Sequence, residues 1–220
     1  CFILRNDFIP HNPAINIRNN GIEILMEVYK KHINETNNFI IVDEKIHWKH
    51  FRQYCSIIAS SENDYFIHED NLRTKQEKRH YPTNTPEEKL YKLNLLPSLH
   101  REKEKYINPS EDGWKKRYYE TLFHVEYTEE RLQQITRKYL EALEWTWKYY
   151  SQHCYNWKWQ YEYDYAPLIQ DILKTIPYYE YEFVKQSSEA PIHEVVQLIY
   201  VLPNESHWSA ISRHRTGCGC

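Results

Sequence analysis

Apolar residues along this chain recur mostly every three or four positions, and strict alternation is scarce. Between residues 14 and 32, Ile17, Ile22, Leu25, Val28 and Tyr29 form one helical stripe, weakened locally by Gly21. Asp43 reads as the cap of a second helix running through Ile46, Phe51, Ile57 and Ile58 to about Ser61. Residues 62–80 are heavily charged and read as an exposed helix. The stretch 81–112 carries Pro82, Pro86, Pro97 and Pro109 between charged blocks, the composition of a linker or insertion. The strongest pattern starts near Thr128, half of a capping box, and sets Leu132, Ile135, Tyr139, Leu143, Trp147 and Tyr150 on one stripe. Pro167 opens a short helix through Ile172 and Leu173. A last one follows Pro191 through Val195, Val196, Leu198 and Ile199 until Pro203.

The opening residues "CFIL" break this pattern and read as a buried strand, with Arg5-Asn6-Asp7 at its carboxyl end and Pro10 and Pro13 closing the turn. A strand there needs a sheet that the chain itself does not supply, so the chain reads as a fragment. The expected fold is mainly α, an irregular multi-helix domain with one N-terminal strand. The expected division is 1–13 strand and turn, 14–80 first helical part, 81–112 linker or insertion, 113–203 second helical part with the aromatic corner, and 204–220 tail.

Composition agrees with packed helices. Among 220 residues there are 20 tyrosines but only 4 glycines, a balance that disfavours tight-turn β architecture. Hydrophobic residues make up 41%, charged ones 27%, and the formal net charge is -3, so neither a basic arm nor an acidic tail dominates. No apolar run reaches membrane-spanning length, and the amino terminus lacks the layout of a secretory signal. Cys1, Cys55, Cys154, Cys218 and Cys220 are scattered and odd in number, which favours an intracellular, reducing compartment over a disulfide framework.

Candidate chemistry is sparse when each feature stands by itself. A carboxylate at a strand's carboxyl end, such as Asp7, is placed like a metal ligand, although one Asp cannot hold a metal pair and turns use Asp routinely. His47 and His50 share a helix face near Cys55, and Cys218-x-Cys220 ends the chain, but the paired spacing of a zinc site is missing. The clusters Arg73-Lys75-Lys78-Arg79 and Lys115-Lys116-Arg117 are interleaved with acids, as solvated helix faces are. The run "NWKWQYEYDYAPLIQD" from Asn156 could be a core corner or a platform for stacking bases. No phosphate-cradling glycine loop or nucleophile elbow occurs.

Order adds what single features lack. "CFILRNDFIPHNPAINIR", then "GWKKRYYETLF", then "YLEALEWTWKYYSQHCYNWKWQYEYDYAP" follow one another along nearly the whole chain. This succession resembles the 5′-to-3′ exoribonucleases of the Xrn type. There a strand ends in a Gly-Asn-Asp-Phe-Leu-Pro-His turn, and a Gly-Trp-Lys-x-Arg-Tyr-Tyr segment precedes a Trp-x-Trp-x-Tyr-Pro-Tyr-His-Tyr-Ala-Pro corner. The likeness departs at Arg5, which stands where the family has glycine. Asn12 stands for an apolar residue, and Glu162 and Asp164 stand for proline and histidine.

The resemblance implies processive degradation of 5′-monophosphorylated RNA with Mg²⁺, in which a metal-activated water attacks the first phosphodiester. It makes Asp7 the last acidic ligand and a catalytic residue, with the other ligands on an amino-terminal nuclease region absent from this chain. The strand over residues 1–4 is then a remnant of that α/β nuclease core. Trp157 or Trp159 is expected to meet the RNA. The chain by itself is expected to be inactive, and the complete protein to reside in the cytoplasm or nucleus. The competing reading is a non-catalytic helical module that binds RNA or protein.

Overall fold

The computed structural model describes residues 6–203, except for the side chains of residues 96–99. The expected strand over residues 1–4, Arg5 and the expected tail lie outside the described residues. Within them the architecture is mainly α, eight helices with one two-stranded antiparallel sheet. No described helix is long and apolar enough to cross a membrane.

The first helix, α1 (Gly21–Thr36), starts later than its stripe suggests. Asparagine side chains hold the preceding backbone in turns: Asn12 Oδ1 accepts the Ala14 N–H at 2.9 Å and Asn16 Oδ1 accepts that of Arg18 at 2.9 Å. Asn20 then adopts the left-handed conformation before Gly21, which becomes the helix's first residue instead of a defect inside it. Asn37, also left-handed, ends the helix.

Strands β1 (Ile41–Val42) and β2 (Lys45–Ile46) pair antiparallel, with Ile41 opposite Ile46. Asp43 and Glu44 make the two-residue turn, both at positive φ. Asp43 is therefore a hairpin residue, and the cap of α2 (Trp48–Glu77) is His47, whose ring nitrogen accepts the His50 N–H at 3.4 Å. This 30-residue helix, about 45 Å long, is the spine of the molecule. It continues unbroken through the charged stretch because no Pro or Gly interrupts it. That stretch is half-inward: Glu62, Phe66 and Glu69 are buried at helical spacing beneath the apolar stripe Phe51, Cys55 and Ile58. Glu69 tolerates burial because Asn16 and Asn19 donate to it, the latter at 2.7 and 2.8 Å.

In the span read as a linker the structure has two helices, α3 (Pro86–Leu99) and α4 (Glu102–Ile107). Thr85 and Glu88 form a reciprocal capping box, with Glu88 N–H to Thr85 Oγ1 at 3.2 Å and Thr85 N–H to Glu88 at 3.1 Å. Arg101, only 3% exposed, anchors the junction to α2 through Asp70 and Thr74 and bonds Glu104 on α4 at 2.7 Å. Pro86 sits at the helix start, where it is tolerated.

Helix α5 (Trp114–Leu122) follows Gly113, whose φ of +78° is left-handed. A Cβ at Gly113 would meet Arg117 at an ordinary 3.5 Å, so the glycine is needed for its backbone and not for space. Gly113→Ala should cost about 1–2 kcal/mol in equilibrium unfolding; no measurable loss would show that the backbone there relaxes freely. Arg117 fastens α5 to the end of α4 by donating to the carbonyls of Ile107 and Asp112 at 3.0 and 2.9 Å.

Helix α6 (Glu129–Ser151) is capped by Thr128, as its sequence suggests. Leu132, Ile135, Tyr139 and Leu143 are buried, whereas Tyr150 at the end of the expected stripe is 54% exposed. The buried face turns instead toward Trp145 and Lys148, because later chain segments cover that side. Helix α7 (Ile169–Thr175) packs against both α2 and α6, and α8 (Glu194–Val201) ends the described chain without a buried residue.

Candidate functional site

Asn6 shapes the turn that carries Asp7. Its Oδ1 accepts the backbone N–H groups of Phe8 and Ile9 at 2.8 and 2.9 Å, and Asp7 is exposed at the bend. Ile9 is 3% exposed and anchors the turn from below. The Phe8 ring stands edge-on to Trp145 and Tyr149, each at 5.0 Å. The Tyr139 hydroxyl donates to the Pro10 carbonyl at 3.3 Å, a second tie to α6.

The aromatic corner begins with another side-chain-held turn. Asn156 Oδ1 accepts the Lys158 N–H at 3.0 Å, while its carbonyl accepts the Trp145 indole N–H at 3.0 Å. The turn sends its two tryptophans different ways. Trp159 stacks on Trp145 at 5.1 Å with 22° between the rings, whereas Trp157 is 50% exposed. Residues 161–165 then alternate, with Tyr161, Tyr163 and Tyr165 half-buried and Glu162 and Asp164 exposed. The departures at Glu162 and Asp164 therefore face outward and leave the packing intact; Glu162 lies 3.8 Å from Lys138.

Polar contacts fix the far end of the corner. The Tyr118 hydroxyl donates to the Ala166 carbonyl at 2.7 Å. The Tyr119 hydroxyl donates to Asp171 at 2.9 Å and accepts the Leu168 N–H at 3.1 Å. Burial pushes both phenols well above the ordinary tyrosine range, so they act as permanent donors. The carboxylate of Glu62 accepts the first N–H groups of α7, from Ile169 at 2.6 Å and Gln170 at 3.0 Å. Arg52, on the same face of α2, donates to the carbonyls of Leu173 and Ile176. An anion at its N-terminus and a cation at its C-terminus thus hold this short helix antiparallel to the spine, matching its dipole. Burial raises the Glu62 pKa, opposed by the bonds it receives from Gln170, Ile169 and Asn12.

The Asp7 turn and the Trp157–Trp159 corner therefore share one support, the Phe8–Trp145–Trp159 aromatic stack. The motif "GWKKRYYETLF" contributes Tyr118 and Tyr119 to the corner and Trp114 to the spine, where its indole donates to Asn63 at 3.0 Å. Glu62 went unnoticed in the sequence, since a carboxylate in a charged run carries no local sign of burial. Asn12, noted only as a departure, is 1% exposed and donates to Glu62 at 3.3 Å.

Other candidates are engaged elsewhere. His47 and His50 stack on each other at 3.6 Å, and Cys55 is buried with its thiol pKa pushed up by desolvation. Arg73 pairs with Glu104, and Lys116 lies 3.8 Å from Glu120. Among the described residues no three His, Cys, Asp or Glu side chains converge as a metal site. Asp7 thus provides one carboxylate, which by itself does not make a Mg²⁺ centre.

Known proteins extend this picture. A 5′-3′ exoribonuclease 2 homolog of Drosophila melanogaster is 26% identical over 79% of this chain, and a 5′-3′ exoribonuclease 2 of Arabidopsis thaliana 25% identical over 94%. A 5′-3′ exoribonuclease 1 of Schizosaccharomyces pombe is 34% identical over 53% of the chain. The chain spans 24% and 28% of the length of the Drosophila and Arabidopsis proteins. Across residues 1–96 and 98–212 it matches the Xrn1 helical domain, and it belongs to that family.

Proposed function

We propose that this chain is the helical-domain portion of a 5′-to-3′ exoribonuclease that degrades 5′-monophosphorylated RNA with Mg²⁺ inside the cell. The observation that carries this reading is the joining of the Asp7 turn to the aromatic corner through Trp145. Chemistry on a phosphodiester requires the adjacent base to be held in register with the reacting phosphate. Here Trp157 offers an open ring face for a base, and Trp159 is the stacked foot on which that turn rests. Asp7 would be a metal ligand supplied by this chain, with further ligands on a nuclease region outside it. Catalysis therefore requires that region, and this chain by itself is inactive.

The test uses the 220-residue chain with a 5′-monophosphorylated oligoribonucleotide and Mg²⁺. Binding is expected without degradation, and Trp157→Ala should weaken binding by about 1–3 kcal/mol, the worth of one stacked base. Its unfolding midpoint should hardly move, because the side chain is half outside the fold. Robust degradation by the chain would sink the dependence on outside ligands. Binding that ignores Trp157 would remove the corner from the site and favour a non-catalytic module.

A further inference from the structure

We propose that Glu62 is a positioning residue that sets the Asp7 turn and the aromatic corner in register. The inference deepens the exoribonuclease reading and rests on it. Glu62 is 1% exposed in the middle of α2, far along the chain from both segments. Its Oε1 accepts the Ile169 N–H at 2.6 Å and the Asn12 Nδ2 at 3.3 Å, and its Oε2 accepts the Gln170 N–H at 3.0 Å.

One carboxylate thus binds both parts of the candidate site. Asn12 shares a short segment with Asp7, and Pro10 and Pro13 flank it with fixed φ, so little slack separates the two. Its Oδ1 is committed to the Ala14 N–H, which fixes the orientation of its amide toward Glu62. Ile169 and Gln170 open α7 at the end of the corner, where the Tyr118 and Tyr119 hydroxyls already hold the backbone. Asp171, the other buried carboxylate here, bonds Tyr119 and Lys174 instead of Asn12.

A simple helix cap would need only the α7 contacts, which a local Ser or Asp before the helix supplies in most proteins. Recruiting the cap from α2 and adding Asn12 to it makes the two segments depend on the same oxygens. Three donors converge and Glu62 only accepts. Glutamine would turn an NH₂ against at least one of them.

The experiment uses the 220-residue chain and four variants, Glu62→Gln, Asn12→Ser, Glu62→Gln with Asn12→Asp, and Arg52→Gln. Serine at position 12 keeps an acceptor for the Ala14 N–H but cannot reach Glu62, so it cuts the link while leaving the α7 cap in place. The double variant, Glu62→Gln with Asn12→Asp, reverses donor and acceptor between the two positions but leaves the glutamine NH₂ facing the Ile169 N–H, which shares that oxygen in the wild type. Arg52→Gln weakens α7 from its other end and does not touch Asn12. Three quantities are read: the unfolding midpoint, the Trp145 and Trp159 indole N–H resonances, and affinity for the 5′-monophosphorylated oligoribonucleotide.

Glu62→Gln and Asn12→Ser should shift both indole resonances and weaken RNA binding about tenfold, the size of one contact coupling. The double variant should recover at most the part of that loss that comes from the Asn12 contact. Arg52→Gln should lower the midpoint while leaving the resonances and the affinity in place. Arg52→Gln and Glu62→Gln behaving alike in all three, or an Asn12→Ser chain with both indole resonances unmoved, would overturn the positioning role. RNA affinity that depends on Trp157 yet ignores Glu62 and Asn12 overturns this inference and spares the exoribonuclease reading. Indole shifts of the expected pattern in a chain that binds no RNA support the coupling and overturn that reading.

Discussion

Replacing Trp145 with alanine should destabilise the chain by about 3–5 kcal/mol, at the top of the range for a buried aromatic, and abolish the proposed RNA binding by the same stroke. The side chain is 5% exposed. It stacks on Trp159 at 5.1 Å and Tyr149 at 5.2 Å, and Phe8 meets its edge at 5.0 Å. Its indole N–H also fixes the turn that presents Trp157, through the Asn156 carbonyl at 3.0 Å. Truncation leaves a large cavity, an unpaired carbonyl and two candidate segments with no common support. Trp145→Phe separates these effects, since it keeps apolar contact and loses only the N–H and part of the ring. It should cost roughly 1–2 kcal/mol, in line with one hydrogen bond and incomplete filling. Urea titration followed by circular dichroism measures both. A Trp145→Ala chain within about 1 kcal/mol of wild type would mean that the stack does not organise this region.

The second large effect lies beside Trp145 on the same buried side of α6. Lys148 and Glu144, each 6% exposed, pair at 3.0 Å. Lys148 also donates to Glu182 and to the Val184 carbonyl at 3.1 Å and sits 4.3 Å above the Tyr155 ring, while Glu144 accepts the Phe183 N–H at 2.6 Å. Together they fasten the segment after α7 to the helix. Burial pulls the Lys148 pKa down, but its bonds to Glu182 and Glu144 outweigh that and raise it. Burial raises that of Glu144, with Lys148 and the Phe183 N–H opposing.

Lys148→Met should therefore cost about 3–5 kcal/mol at neutral pH, because it strands a buried carboxylate. The sign with pH follows from linkage. A Glu with a raised folded pKa contributes stability at acid pH that is lost as pH rises through the folded value. Removing Lys148 raises that value further, so the deficit against wild type should widen toward neutral pH and shrink in acid. Adding Glu144→Gln should recover much of it, since no buried charge then remains. A deficit that stays flat between acid and neutral pH, or a double variant no better than the single, would show that lost packing dominates.

Local signals in the sequence were dependable where the physics was local. Thr128 caps α6 by accepting the nearby Arg131 N–H, an interaction set within one turn of chain. Family membership was legible for the same reason, because its three motifs are short and lie in order along the chain. Local reading failed where two outcomes share one composition. Asp43 suits a helix cap or a left-handed turn, and the pairing of Ile41 with Ile46 selects the turn. Within residues 81–112, proline content does not reveal the two helices, which buried Arg101 ties to α2.

By itself, then, the sequence determined a helical chain of this family, with Asp7 at a turn and two tryptophans at a corner. Only the tertiary structure decided that the turn and the corner share the Trp145 stack and that Trp157 is half exposed while Trp159 stacks on Trp145. Only it placed Glu62 inside the protein. Burial of that carboxylate depends on Ile169 and Gln170, more than a hundred residues away in sequence, at separations of 107 and 108. A carboxylate in a charged run is stable in water by default. It goes inside only when distant donors converge to replace that water, and their convergence is a property of the fold.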